Sequence, residues 1–486
     1  MDRVLSFIAK NFIYIIIFIN MIFVFYLIFH ERRDESSTLS WILVLTHLPI
    51  IGFLFYLVLG QRFNKRKLYR KKADAERKRI EAQMKKIDSA DIKEEIKRFE
   101  ELIKLNYNSE GSIYSQDNEL ELIFDGKEKF KKLFKDIDEA KEFIHLEYYT
   151  IENDSLGKEI IDRLINKAKE GVEVKVLMDT LGSMNLISKK CLRELEEAGG
   201  EFAAFFPKKF SYFSKRINFI NHRKIVVIDK RVGYLGGFNI GESYISENEK
   251  VGYWRDTHMR IKGSFLNDLE RRFLFDWCYS NQLDINDFHD YLEEEVKEKN
   301  GSVGMQLVSS GPDIYEPYIR NGILKMINEA KESIFIQTPY FVPDDPIYES
   351  LKVAALSGID VRLMVPKHND HKFMRWAASA KMLPLLECGV KIYLYEKNNK
   401  GFLHAKTLVI DSEISTIGTA NMDVRSFKLN FETNAFIFDS GVSEIQYNKF
   451  LEDSKECDLI KLEEFRNRSR TTKMCESVVR LFSPLL

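Results

Sequence analysis

The chain has 486 residues, with 73 Lys and Arg against 74 Asp and Glu. That length exceeds one ordinary core and predicts two to four structural units, and the near-cancelled charge leaves no global field of the kind that marks a nucleic-acid binder. Five scattered cysteines, Cys191, Cys278, Cys388, Cys457 and Cys475, lack CxxC spacing, which argues against a disulfide framework or a zinc site and for reduced, buried thiols.

From Asn11 to Phe29 no charge interrupts NFIYIIIFINMIFVFYLIF. About nineteen residues at ~1.5 Å each nearly match a hydrocarbon core of ~30 Å, so a transmembrane helix is predicted. It is too long for a cleaved signal peptide, and no small-x-small site follows it. A second uncharged stretch, Leu39 to Leu59, contains Pro49, which a membrane helix tolerates as a kink. The two predict a hairpin over residues 1–62, with spans at about 11–29 and 39–59. Basic residues favour the cytoplasmic side. QRFNKRKLYRKKADAERKR follows the second span, whereas the link His30–Thr38 mixes Arg32 and Arg33 with Glu31, Asp34 and Glu35. Both termini are therefore expected in the cytoplasm. The same cluster would attract anionic headgroups at about 1 kcal/mol per basic residue.

Residues 63–107 read as a basic linker with one or two amphipathic helices, from the spacing of Ile80, Met84, Ile87, Ile92, Ile96, Phe99 and Leu102. Beyond it the sequence repeats. KEFIHLEYYT at Lys141 answers KESIFIQTPY at Lys331, and GVEVKVLMD at Gly171 answers GIDVRLMVP at Gly358. In each copy an apolar β-rich run leads to a helical segment (Leu156–Glu170; Pro346–Ser357), a Gly stop and another apolar strand, the order of a β-α-β unit. Two like α/β domains are predicted, 108–295 and 296–486, joined within the acidic stretch Asp290–Ser302.

Each copy then reaches a histidine–lysine pair: NHRKIVVID, Asn221–Asp229, and LHAKTLVID, Leu403–Asp411. Residues i and i+2 of a strand share a face, so His222 stands beside Lys224 and His404 beside Lys406, an anion site equipped with a proton-transfer group. GGFN (Gly236, Gly237, Asn239) and GTAN (Gly418, Thr419, Asn421) come next. Glycine permits close backbone approach to a phosphate, and Asn donates an amide to an oxygen. One such pair would read as a hydrogen-bonded core histidine. The pattern H-x-K-x4-D-x6-G-x-x-N twice, in register with a wider repeat, does not.

At these residues the chain resembles the phospholipase D superfamily, whose signature is this duplicated motif. More narrowly it resembles the bacterial cardiolipin synthases, through the membrane hairpin, YWRDTHMRIKG at Tyr253, QTPYFVPD at Gln337, NMDVRSFKLNFE at Asn421 and the terminal RLFSPLL. The likeness spans essentially the whole chain. It implies two phospholipase-D-like α-β-α domains packed as a pseudo-two-fold pair behind the hairpin, at the bacterial plasma membrane as a multi-pass protein with its catalytic part cytoplasmic. It also implies a metal-independent, cofactor-free transfer through a covalent phosphohistidine. Phosphatidylglycerol would be both donor and acceptor on an anionic membrane, cardiolipin and glycerol the products, and nucleic acid no partner.

The residues suffice for that chemistry: one neutral imidazole attacks phosphorus in line, the other protonates the leaving alkoxide, and lysines and asparagines neutralise the equatorial oxygens. By family precedent His222 is the nucleophile and His404 the general acid, then base; spacing alone leaves the order open. Lys224 and Lys406 belong to the catalytic set, as do Asp229 and Asp411, the last two bracing the motif rather than touching substrate. Asn239, Asn421, Gly237 and Thr419 are expected at the substrate phosphate. Asp256 and Glu432 fall where the family places carboxylates that orient the imidazoles.

His145 and Glu147 could support the site, but Phe335 and Gln337 replace them in the second copy, which favours a structural role equally. KHNDHKF, Lys367–Phe373, has the look of a metal cluster and is equally a solvated or phosphate-facing loop. Asp344 and Asp345, beside prolines, predict a turn. A membrane-anchored hydrolase would carry the same catalytic residues. A nuclease fits less well, with no basic surplus or aromatic stacking motif, and a scaffold that has lost catalysis is disfavoured by the presence of both histidines.

Overall fold

The computed structural model describes residues 2–30, 35–56, 76, 94–183, 187–205, 219–249, 251–294, 296–299, 301–314, 316–368 and 372–482. The first apolar stretch lies in a helix, Asp2–His30, and its segment Asn11–His30 is the one among the described residues long and apolar enough to cross a membrane. The expected second span is broken instead into Glu35–His47 and Pro49–Phe55, and residues 57–59 lie outside the described part. Pro49 causes the break: it has no N–H to give the Leu45 carbonyl. Asn20 of the first helix replaces that donor, its amide 3.0 Å from Leu45 O and 2.9 Å from Pro49 O. Leu27, Trp41, Leu45 and Tyr56 are buried around this junction.

Of the linker expected over 63–107, Ile80, Met84, Ile87 and Ile92 lie outside the described residues. Its last part does not lead away as a free helix. Ile96, Phe99, Leu102 and Ile103 are buried in the core of the second copy with Ile319, Ile323 and Met326.

The β-α-β reading holds in both copies. In the first, β1 Ser115–Ile123, β2 Phe143–Tyr148, β3 Glu173–Met178, β4 Glu201–Ala204, β5 Lys224–Ile228, β6 Val232–Gly236, β7 Trp254–Arg255 and β8 His258–Lys262 follow one another. The second contains β9 Val303–Ser310, β10 Ser333–Gln337, β11 Phe341–Val342, β12 Asp360–Pro366, β13 Lys391–Tyr395, β14 Phe402–Leu403, β15 Thr407–Ile410, β16 Ile414–Gly418, β17 Met422–Asp423, β18 Glu432–Phe438 and β19 Cys457–Leu459.

Fifteen of these strands form one sheet, ordered β19-β13-β12-β10-β15-β16-β18-β9-β1-β8-β6-β5-β2-β3-β4. Apart from β19 the order reads the same from either edge, with β1 and β9 antiparallel at the centre. Helices cover both faces. Gly126–Asp138 and Ser155–Lys169 bury Phe130, Leu133, Ile160 and Leu164 on one side of the first copy, while Phe265–Asn281 buries Phe265, Leu266 and Leu269 on the other. The latter cluster continues into Ile417, Ala435 and Ile437 of the second copy, so one core runs under both. All five cysteines are free thiols. Cys278 is buried and the other four are half-buried, which corrects the expectation of five buried thiols.

Candidate active site

Each His-x-Lys segment enters its strand at the seam between the copies, stitched to the other copy's carboxylate segment. The His222 N–H donates to Phe431 O at 2.9 Å, and the His404 N–H to Arg255 O at 2.7 Å. β7 and β14 pair in parallel across the same seam. These bonds set the next residues, Glu432 and Asp256, against the histidines of the opposite copy. His222 Nδ1 lies 3.0 Å from Glu432 Oε2 and 3.2 Å from Thr419 O; His404 Nδ1 lies 2.6 Å from Asp256 Oδ2. A carbonyl only accepts, so His222 carries its proton on Nδ1. The Asp256 bond favours the same tautomer in His404, and each Nε2 keeps its lone pair.

Both imidazoles are 8% exposed. Burial lowers their pKa values, and the lysines add to that while the carboxylates oppose it; His404 is pushed down to about 3. Both rings are therefore neutral near pH 7. Burial alone would raise Asp256 and Glu432, but His404 and Lys406 outweigh it for the first, and His222 and Lys224 for the second, holding both below the usual carboxylate range. Lys224 and Lys406 each donate to the carbonyl of their own histidine at 2.6 Å. Burial pushes Lys224 down to about 7. Tyr149 packs edge-on to His222 and Trp254 against His404.

The other expected residues divide. Asp229 accepts from the N–H groups of Lys141, Glu142 and Phe143, and Asp411 from those of Lys331, Glu332 and Ser333. Both sit at the far ends of their strands in left-handed turns (φ 51° and 54°), which Asp tolerates. Both carboxylates are thus engaged in bracing these turns. Gly237 has its bare Cα against Asp256, where a Cβ would come within 2.0 Å of a carboxylate oxygen; it makes room for the orienting group rather than for a phosphate. Thr419 reaches His222 through its carbonyl, its hydroxyl being bonded to Thr433. Asn239 is buried, accepting from Thr150 N and donating to Tyr244 OH. Asn421 is buried with its Oδ1 unbonded.

His145 is clamped between Glu270 (2.7 Å) and Glu173 (3.0 Å). Glu147 accepts from Asn221, the neighbour of His222, at 2.5 Å, and burial with Asp276 nearby pushes it up to about 8. In KHNDHKF, His368 bonds Glu396 and residues 369–371 lie outside the described part; among the described residues no cluster of metal-ligating side chains occurs. Asp344 stands at the first position before the helix Asp345–Leu356, with no capping bond from its side chain, which instead pairs with Arg320 at 3.3 Å.

Two arginines escaped the sequence reading. Arg223, 1% exposed, donates to Glu432 O at 3.3 Å and pairs with Asp276. Arg255, fully buried, bonds Asp256 O and pairs with Asp453 at 2.7 Å. Each holds the backbone of an orienting carboxylate.

An α/β sheet in which two such histidine–lysine segments meet across the seam between its halves is the phospholipase-D-like fold. The family described as "Cardiolipin synthase, PLD-like domain" matches residues 133–277 and 323–453, and the family described as "Phospholipase D-nuclease N-terminal" matches 18–61. A cardiolipin synthase of Clostridium perfringens is 47% identical over 464 residues, covering 94% of this chain and 95% of its own. The major cardiolipin synthase of Bacillus subtilis is 43% identical over 484 residues, with 96% and 97% covered. The crystal structure of a phosphatidylserine synthase of Haemophilus influenzae shares the fold, with a TM-score of 0.59 at 14% identity over 79% of this chain and 97% of that one. The chain belongs to the bacterial cardiolipin synthases of the phospholipase D superfamily, which are phosphatidyltransferases of phospholipid synthesis. Its N-terminal match and apolar helix suggest association with the membrane.

Proposed function

We propose that the chain exchanges a phosphatidyl group between two phosphatidylglycerols, giving cardiolipin and glycerol through a phosphohistidine on His222. His222 Nε2 attacks phosphorus and the bond to the glycerol headgroup breaks, with His404 giving the leaving alkoxide its proton. The arriving phosphate anion favours the protonated imidazole that burial otherwise disfavours. His404 then takes the proton of the second lipid's terminal hydroxyl, which attacks phosphorus and releases His222. Lys224 and Lys406 offset charge on the equatorial oxygens, with the buried amides of Asn239 and Asn421 as further donors.

The observation that carries this reading is the crossed pairing: each imidazole has its Nδ1 held by a carboxylate of the other copy, with a lysine beside each. The same reading takes residues 1–62 as a membrane hairpin, 63–107 as linker, and 108–295 and 296–486 as pseudo-two-fold-related halves, supported by the mirrored strand order. The basic segment after residue 60 supports a cytoplasmic catalytic part facing an anionic bilayer of the plasma membrane, where both lipids arrive laterally.

Purified full-length enzyme on phosphatidylglycerol vesicles should release cardiolipin and glycerol in equal amounts, and added glycerol should run the reaction backward. Phosphatidic acid without cardiolipin would replace this reading with a hydrolase.

A further inference from the structure

On the His404 arm, the Arg255–Asp453 pair ends locally, at Lys449 (3.4 Å) and Gln337 (2.9 Å). The His222 arm continues. Asp276 also accepts from Arg272 at 2.9 Å, and Arg272 donates to both oxygens of Glu76, at 2.7 and 3.1 Å. The side chains of Arg223, Asp276, Arg272 and Glu76 are each 8% exposed or less. Glu76 stands in the basic segment that follows the second apolar stretch, about 200 residues from Arg272 in sequence. A bidentate guanidinium–carboxylate pair removed from water fixes geometry as well as charge. Taking away its carboxylate leaves a buried cation competing with Arg223 for Asp276. The chain Glu76–Arg272–Asp276–Arg223 ends on the carbonyl of Glu432, whose carboxylate holds His222.

We propose that Glu76 is a positioning residue for His222, fixing the line of attack through this chain of buried pairs. The inference rests on His222 as the nucleophile. A displaced nucleophile slows bond formation without changing how lipid is bound, so the effect belongs in the rate of the covalent step and not in KM.

The test uses the full chain reconstituted with phosphatidylglycerol, rapid quenching, and capture of the phosphatidyl-enzyme, whose final amount counts active sites. Per active site, Glu76→Ala should form the adduct about tenfold more slowly with KM within about twofold of wild type, and Glu76→Asp should recover most of the rate. Glu76→Gln, equal in shape, gives the same readout if the alanine variant lowers the yield of folded enzyme. Glu76→Ala combined with Arg272→Met should be no slower than the slower single variant, since both cut one chain. A wild-type rate per active site in Glu76→Ala and Glu76→Gln, or additive losses in the double variant, would overturn the role of Glu76 alone. Absence of any His222 adduct in the wild type would instead overturn the reading of the site beneath it.

Discussion

The His222 and His404 arms begin alike and are supported differently. Both motifs run histidine, lysine, strand, aspartate turn, and both histidines lean on a carboxylate from the other copy. Behind them, Asn221, Arg223 and Glu147 of the first arm stand where the second has Leu403, Ala405 and Gln337. The first arm rests on a buried chain of alternating charges, the second on one arginine–aspartate pair with a lysine and an amide beside it. What stays duplicated is the histidine–lysine pair and the carboxylate that holds each imidazole. The supports differ, as expected if the two imidazoles have different tasks, one forming a bond to phosphorus and one moving a proton.

The largest break in that comparison is removal of the imidazoles. His222→Ala and His404→Ala should each lower cardiolipin formation by about 10⁴-fold or more, while membrane insertion persists. Only His222→Ala should abolish the captured adduct; an adduct persisting in His222→Ala and absent from His404→Ala would reverse the two roles.

Neutralising the carboxylates comes next. Glu432→Gln and Asp256→Asn keep the shape but remove the charge beside each imidazole. His404 also loses what enforces its Nδ1–H tautomer, a change that costs up to about 10⁴-fold in a serine-protease triad, whereas the Thr419 carbonyl still holds that of His222 and the loss in Glu432→Gln should be smaller. Because the pairs cross, Glu432→Gln in the second copy should slow adduct formation on His222 in the first. Asp256→Asn should act on proton transfer, so a substrate whose leaving group needs no proton should be spared in the adduct-forming step. Rates of adduct formation with phosphatidylglycerol and with such a substrate separate the two.

A smaller effect follows from Lys224, whose ammonium burial has brought down to about 7. Above that pH the lysine loses the charge that attracts the substrate phosphate, so kcat/KM should fall about tenfold per unit on the alkaline side. Lys224→Arg keeps its charge, and its alkaline fall should begin at higher pH. Profiles between pH 6 and 9 decide this, and an unmoved limb in the arginine variant would assign the titration elsewhere.

The duplicated motif was plain in the sequence because both strands carry the same histidine–lysine pair at period two. Asp256 and Glu432 were found through the family pattern, but their exchange between copies was hidden, since it depends on strand segments meeting across the seam. Arg223 looked like one more basic residue beside a motif; its partners Asp276 and Glu432 lie 53 and 209 positions away. The kink at Pro49 could be read locally, but not that the missing donor would be replaced by Asn20, 25 residues before Leu45. Gly237 was read toward a phosphate because glycine announces a close approach without saying to what.

The smallest effects concern the aspartate turns, where the arms differ by one group. Asp229 serves three backbone N–H groups; Asp411 serves three and also takes Arg98 at 2.8 Å. Alanine at either position leaves those donors short of an acceptor and forces a left-handed turn on a residue unsuited to it. Each substitution should cost about 1–3 kcal/mol of stability with little change in rate per folded enzyme. Burial would raise the Asp411 carboxyl, but Arg98 and the backbone donors outweigh it and hold it below the usual carboxylate range. A carboxyl depressed in the folded state stabilises fully above its unfolded value, near 4, and loses that contribution as pH falls through the lower folded value. Asp411→Asn does not titrate, so the difference in melting temperature between wild type and variant should be largest near neutrality and shrink below pH 4. A difference that stays constant from pH 7 to pH 3 would show that the Arg98 contact contributes nothing through charge, and that the two turns are equivalent after all.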